Sequence, residues 1–69
     1  MKICANMSGT VFRVLVKAGD QVNPGDEVII LESMKMEIPV VAEEGGTVQE
    51  VRVKEGDFVQ EGDVVVVLA

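Results

Sequence analysis

Lys35 is the residue of this chain whose setting marks it for chemistry. It is centred in Glu32-Ser33-Met34-Lys35-Met36-Glu37, between two methionines and with an acidic residue outside each of them. A primary amine in such a setting is a nucleophile, but nothing nearby would activate it. The chain has no His, hence no imidazole base and no zinc site. Its carboxylates are scattered at turns without metal-loop spacing, and no phosphate loop of the GxxxxGK type occurs. The chain is therefore expected to have no catalytic residue and to bind no metal. It is not expected to be an enzyme on its own.

What sets Lys35 apart from the other basic residues is an internal repeat. Residues 8–32 align with residues 45–69 at an offset of 37, with thirteen identities in twenty-five positions, among them Gly9/Gly46, Val14/Val51, Gly19/Gly56 and Asp26/Asp63. What is duplicated is scaffold. Lys17 and Lys54 are repeated and read as solvated strand-end charges; Lys2, Arg13 and Arg52 read as surface charges. Residues 33–44 have no counterpart, and Lys35 is the only reactive group they carry.

The repeat is written in strand signals. Val51 and Val53 alternate with Glu50, Arg52 and Lys54, and Phe12, Val14 and Val16 are expected to face inward in the same way. Val11 and Val48 fall out of phase, which predicts a bulge just after each Gly-Thr pair. Each strand then meets Gly-Asp-x-Val-x-x-Gly-Asp (Gly19 to Asp26, Gly56 to Asp63), where glycine supplies positive φ and Asp bonds nearby N–H groups, so these are turns. Val28–Leu31 and Val64–Leu68 are continuous apolar strands. Residues 1–7 add one more, with Ile3 and Met7 as inward candidates. Cys4 reads as a small buried hydrophobe. Met36 to Ala42 is a further strand that Pro39 confines to an edge or a bulge.

No segment carries a 3.6-residue stripe, so the fold class is all-β. Two copies are best satisfied by two sheets about an approximate two-fold axis, closing over one core and protecting the Val64–Leu68 strand from an exposed edge. Sixty-nine residues and one cysteine predict a single domain over 1–69, held by packing without a disulfide. About four residues separate the strand ending near Leu31 from the next, the length of a tight hairpin. Lys35 is expected at its tip. Met34 and Met36 would otherwise be core fillers, but a tip has little core to fill, and an exposed pair suits a surface read by a partner. Glu32 and Glu37 read as surface charges.

Charge and hydropathy exclude other partners. A net charge of −6 argues against nucleic acid and anionic membranes, and no apolar run is long enough to span a bilayer. No charged-then-apolar leader opens the chain, so the cytoplasm is the expected compartment.

Over essentially its whole length the sequence resembles the biotinyl/lipoyl attachment domain family. The resemblance is carried by Glu32-Ser33-Met34-Lys35-Met36-Glu37 set between paired Gly-Asp-x-Val-x-x-Gly-Asp turns. The Met-Lys-Met core is similar to that of biotin carboxyl carrier domains, whereas lipoyl domains typically show Asp-Lys-Ala. Two departures stand out. Ser33 replaces the usual Ala, and the inserted thumb and Pro/Ala-rich linker of bacterial acetyl-CoA carboxylase carriers are absent, as in small free-standing biotin/lipoyl attachment proteins. The resemblance implies a flattened β-barrel of two four-stranded antiparallel sheets, a barrel-sandwich hybrid, with lysine on a protruding hairpin. It implies that a biotin protein ligase activates biotin as an acyl adenylate and acylates Lys35, with Met34 and Met36 as recognition contacts and Glu32, Ser33 and Glu37 as motif flanks. Its further partners would be biotin carboxylase and carboxyltransferase. Alternatives are lipoate on the same lysine, serving acyl transfer, and an unmodified structural domain.

Overall fold

The computed structural model describes residues 1–69, which form eight strands and no helix. In chain order they are β1 (Lys2–Cys4), β2 (Gly9–Val14), β3 (Gln21–Val22), β4 (Glu27–Ser33), β5 (Met36–Val41), β6 (Gly46–Val51), β7 (Phe58–Val59) and β8 (Val64–Leu68). They build two four-stranded antiparallel sheets, ordered β1-β8-β6-β3 and β5-β4-β2-β7. With no helix present, none is available to cross a membrane.

The offset of 37 carries β2 onto β6, β3 onto β7 and β4 onto β8. Each of these moves a strand from one sheet to the other, so the two-fold relation exchanges the sheets. The edge strands β5 and β1 complete the correspondence. Between the sheets lies one core of 14 apolar residues, with no buried polar side chain. Val28, Ile29, Leu31, Val65 and Val66 are fully enclosed, as expected where continuous apolar strands run through a sheet interior. β8 lies between β1 and β6, shielded from edge pairing, and Pro39 is on the edge strand β5.

The register breaks at the same place in both copies, between Val11 and Arg13 on β2 and between Val48 and Glu50 on β6. The bulge that the out-of-phase valines predict is present. It also corrects the expectation that Phe12 faces inward. The extra residue of a bulge is left unpaired, so Val11 takes the core position, Phe12 is exposed, and inward phase resumes at Val14. Cys4 is likewise exposed rather than buried. The register shifts between Ile3 and Cys4, and Ile3 and Ala5 occupy the inner face on either side.

The four Gly-Asp turns share one construction. Gly19, Gly25, Gly56 and Gly62 have φ between 90° and 96°, the conformation a type II turn demands at its third residue. The following Asp donates its N–H back across the turn, and its carboxylate accepts the N–H of the first residue, as in Lys17 N–H to Asp20 at 2.9 Å and Lys54 N–H to Asp57 at 3.0 Å. The turns at Gly19 and Gly56 also clamp a strand of the opposite copy. Gly19 donates to Val48 O while Val48 donates to Asp20 O, and Gly56 and Asp57 hold Val11 in the same way.

One junction escapes the two-fold. β4 and β5 are joined by the lysine hairpin, but the corresponding pair β8 and β1 is closed only by hydrogen bonds, Met1 N to Leu68 O at 2.9 Å and Leu68 N to Met1 O at 2.6 Å.

Candidate functional site

Ser33 of β4 pairs with Met36 of β5, so the connection is two residues long, shorter than the roughly four the sequence suggested. Met34 has φ 52° and Lys35 φ 66°. Positive φ at both central residues of a two-residue hairpin is the signature of the type I′ turn, whose twist matches that of the strands it joins. Asn-Gly normally occupies such a turn, because Gly has no Cβ to crowd the following carbonyl and the short polar side chain of Asn hydrogen-bonds locally there. Lys35 thus sits at the extreme tip, with its side chain exposed. It takes part in neither of the chain's two ion pairs, Lys17–Asp20 and Arg52–Glu50.

The two methionines do not fill the core. Met34 is 91% exposed and Met36 61% exposed. One rung below, Glu32 and Glu37 are direct cross-strand partners. Both are exposed, and like charges so placed repel one another. Ser33 is half-buried. The structure therefore gathers Glu32, Ser33, Met34, Lys35, Met36 and Glu37 into a single turn and the two rungs behind it.

Three neighbours complete the surroundings without standing out in the sequence. Thr10 pairs with Glu32 on one side and with Phe58 on the other, so the rung runs Phe58–Thr10–Glu32–Glu37 across the sheet. A shallow depression beside the hairpin is bordered by Lys35, Met34, Ser33, Thr10 and Phe58. Gly9 lies beneath, buried against β4, where a Cβ would stand 2.8 Å from the backbone oxygen of Glu32. Its repeat partner Gly46 has 3.5 Å at the corresponding contact. Gly9 reads as scaffold in the sequence because it is duplicated; only the packing shows that it seats the hairpin.

A family described as "Biotin-requiring enzyme" matches residues 1–68. The chain belongs to the Biotin_lipoyl family. Over 43 residues this Biotin_lipoyl chain is 58% identical to the Bacillus subtilis protein named biotin/lipoyl attachment protein, an overlap covering 62% of this chain and 59% of that one. Over 38 residues it is 55% identical to biotinylated protein TB7.3 of Mycobacterium tuberculosis, covering 55% and 54%. These overlaps span less than two thirds of the curated relatives' length. Among solved structures, part of Kluyveromyces lactis urea carboxylase superposes on 100% of this chain and 6% of that one, with TM-score 0.93 and 36% identity. The two-sheet architecture and the Met-Lys-Met resemblance thus lead to the same family.

Proposed function

We propose that the chain is a non-catalytic, single-domain biotin carboxyl carrier over residues 1–69, with Lys35 as the residue that a biotin protein ligase acylates. The observation that carries this is the placement of Lys35 at the apex of a two-residue turn, exposed and free of ion pairs. A carboxyl-bearing cofactor fits such a site because a lone primary amine at a tip can form an amide without displacing any packed group. Nζ attacks the activated carboxyl that the ligase presents. The C–N bond forms, the bond to the activating group breaks, and Nζ gives up its proton. The chain offers no base at the tip, so the ligase takes that proton.

Biotin, once attached, supplies the group that carries a carboxyl from biotin carboxylase to carboxyltransferase. The chain's own residues contribute tethering and stiffness. Met34 and Lys35 fix the direction in which the arm leaves, and the lysine methylenes give it reach, which keeps the carried group at high effective concentration at both active sites. Met34 and Met36 give the ligase an apolar contact, and Glu32, Ser33 and Glu37 frame it. Similarity to a segment of a urea carboxylase supports a place beside carboxylase subunits. The ligase and the carboxylase both consume ATP, and the compartment assigned in this reading is the cytoplasm.

Intact mass after co-expression with a biotin ligase tests the proposal. One added biotinyl group is expected, and Lys35→Arg should abolish it without changing the melting temperature. A lipoyl group under a lipoyl ligase, with no biotin added under the biotin ligase, would replace biotin by lipoate in this account.

A further inference from the structure

The internal repeat provides a control for every scaffold position, because the two-fold places each residue of one copy in the same backbone environment as its partner in the other. The rung beside the lysine hairpin departs from its partner in an informative way. On the far sheet, Gln21 of β3 pairs with Thr47 of β6, and their side chains are hydrogen-bonded, Thr47 Oγ1 to Gln21 Oε1 at 3.0 Å. The equivalent rung pairs Phe58 of β7 with Thr10 of β2. Here an aromatic ring replaces the amide, the hydrogen bond is given up, and the ring is 66% exposed.

The same exchange recurs along the sheet. Phe12 corresponds to Gln49, and Leu15 to Arg52. Phe12 and Phe58 are the only two aromatic residues of the chain. Both are exposed, on adjacent strands of the sheet that bears Lys35. Of the large apolar side chains that the fold leaves exposed, Phe12, Leu15, Met34, Met36, Val41 and Phe58 belong to or directly adjoin that sheet, and only Met1 lies on the other. Packing does not call for Phe12, Leu15 or Phe58, since glutamine or arginine serves the same positions in the other copy.

We infer that the Phe58 rung is a docking surface for the enzyme that acylates Lys35, an inference that rests on the biotin reading above. The occupant follows from where the chemistry happens. An enzyme that forms a bond to Nζ must bring its active site down onto the turn, and so covers the rung that adjoins it. An enzyme working on the far end of a loaded arm has no need to. The rung also specifies what the partner must present. Phe58 requires an apolar recess that takes a phenyl ring. Glu32 and Glu37, opposed to each other and ion-paired to nothing on this chain, require cationic side chains beside that recess. Aromatic anchors of this kind account for much of the affinity at protein interfaces.

The test uses the substitution that the repeat itself supplies. Phe58→Gln restores the Gln–Thr pair found on the other sheet, so folding should be undisturbed. The expected result is a fall of about tenfold in kcat/KM for ligase-catalysed biotinylation, expressed in KM with kcat nearly unchanged. The mirror substitution Gln21→Phe should leave both parameters at wild-type values. A second measurement is independent of any aromatic variant. Titrating ligase into isotopically labelled Lys35→Arg protein should shift the amides of Phe58, Thr10 and Glu32 together with those of the turn. Biotinylation of Phe58→Gln at the wild-type rate would overturn the assignment, whether the face then serves the carboxylating enzyme or a second copy of the chain. Amide shifts confined to residues 33–36 would also overturn it. A wild-type chain that takes no biotin would defeat the biotin reading itself, and this surface with it.

Discussion

Replacing Met34-Lys35 by Asn-Gly should make the protein more stable while removing the residue on which its proposed function depends. Both positions have positive φ, 52° and 66°, and the left-handed region costs an ordinary L-residue roughly 1–2 kcal/mol. The pair therefore holds about 2–4 kcal/mol of conformational strain. Asn tolerates the region well and Gly occupies it freely, although Gly forfeits about 0.5–1 kcal/mol through the extra freedom of the unfolded chain. Little packing is lost, because Met34 is 91% exposed and Lys35 is solvent-facing. The net gain is about 1–3 kcal/mol. For a chain of 69 residues the unfolding entropy is about 0.14 kcal/mol/K, so the melting temperature should rise by about 7–21 °C. Thermal unfolding of the two unmodified proteins by circular dichroism, at two scan rates, measures it directly. A double variant that melts at or below the wild-type temperature would refute the strain assigned to this turn.

Two further expectations concern the scaffold. Gly9→Ala places a Cβ 2.8 Å from the Glu32 carbonyl oxygen, a backbone atom that cannot swing aside, and should cost about 1–3 kcal/mol. Urea titration would detect this, and an unchanged midpoint would contradict the close packing of β2 on β4. Asp20 bears on acid stability. The Lys17 backbone N–H and, secondarily, the Lys17 side chain hold its carboxyl below the usual value of 3.8. Its contribution is complete above the unfolded-state pKa and disappears as pH falls through the lower folded-state value. Asp20→Asn should therefore melt below wild type at pH 7, with the gap closing in strong acid. A gap that widens on acidification would reverse the assigned direction.

Much of this was legible in the sequence, for identifiable reasons. The repeat fixes the pseudo-symmetry, the continuous apolar runs 28–31 and 64–68 fix the central strands, and Pro39 marks an edge. The out-of-phase Val11 and Val48 disclose the bulges, but not which residue each bulge expels. That is why Phe12 read as inward: a period-2 pattern shifts by one residue across a bulge. Cys4 failed for a related reason, since its apolar character says nothing of a register change beside Ile3. At the site, the hairpin could be placed from the spacing of its flanking strands. Its turn type was hidden, because Met and Lys are not residues whose presence announces positive φ. The Phe58 rung was hidden too, since it joins residues 48 apart through a two-residue strand.

The features that local rules disfavour are concentrated at one end of the molecule. Met34 and Lys35 adopt a turn suited to Asn-Gly, Glu32 faces Glu37 across the adjacent rung, and Phe58 takes the place of a glutamine that would have bonded Thr10. Each departure costs stability, and the other copy of the repeat avoids the last of them with the same backbone. Natural sequences keep such conflicts where function requires them. Exposed apolar exchanges also occur at Phe12 and Leu15 further along the same sheet, but these three departures adjoin the turn that carries Lys35. That convergence points to the hairpin and its adjoining rung without using the Met-Lys-Met motif at all. It also explains how a chain with no base of its own at the tip can still be specific. In the proposed function, its contribution to the reaction is the shape it presents to the enzyme that brings one.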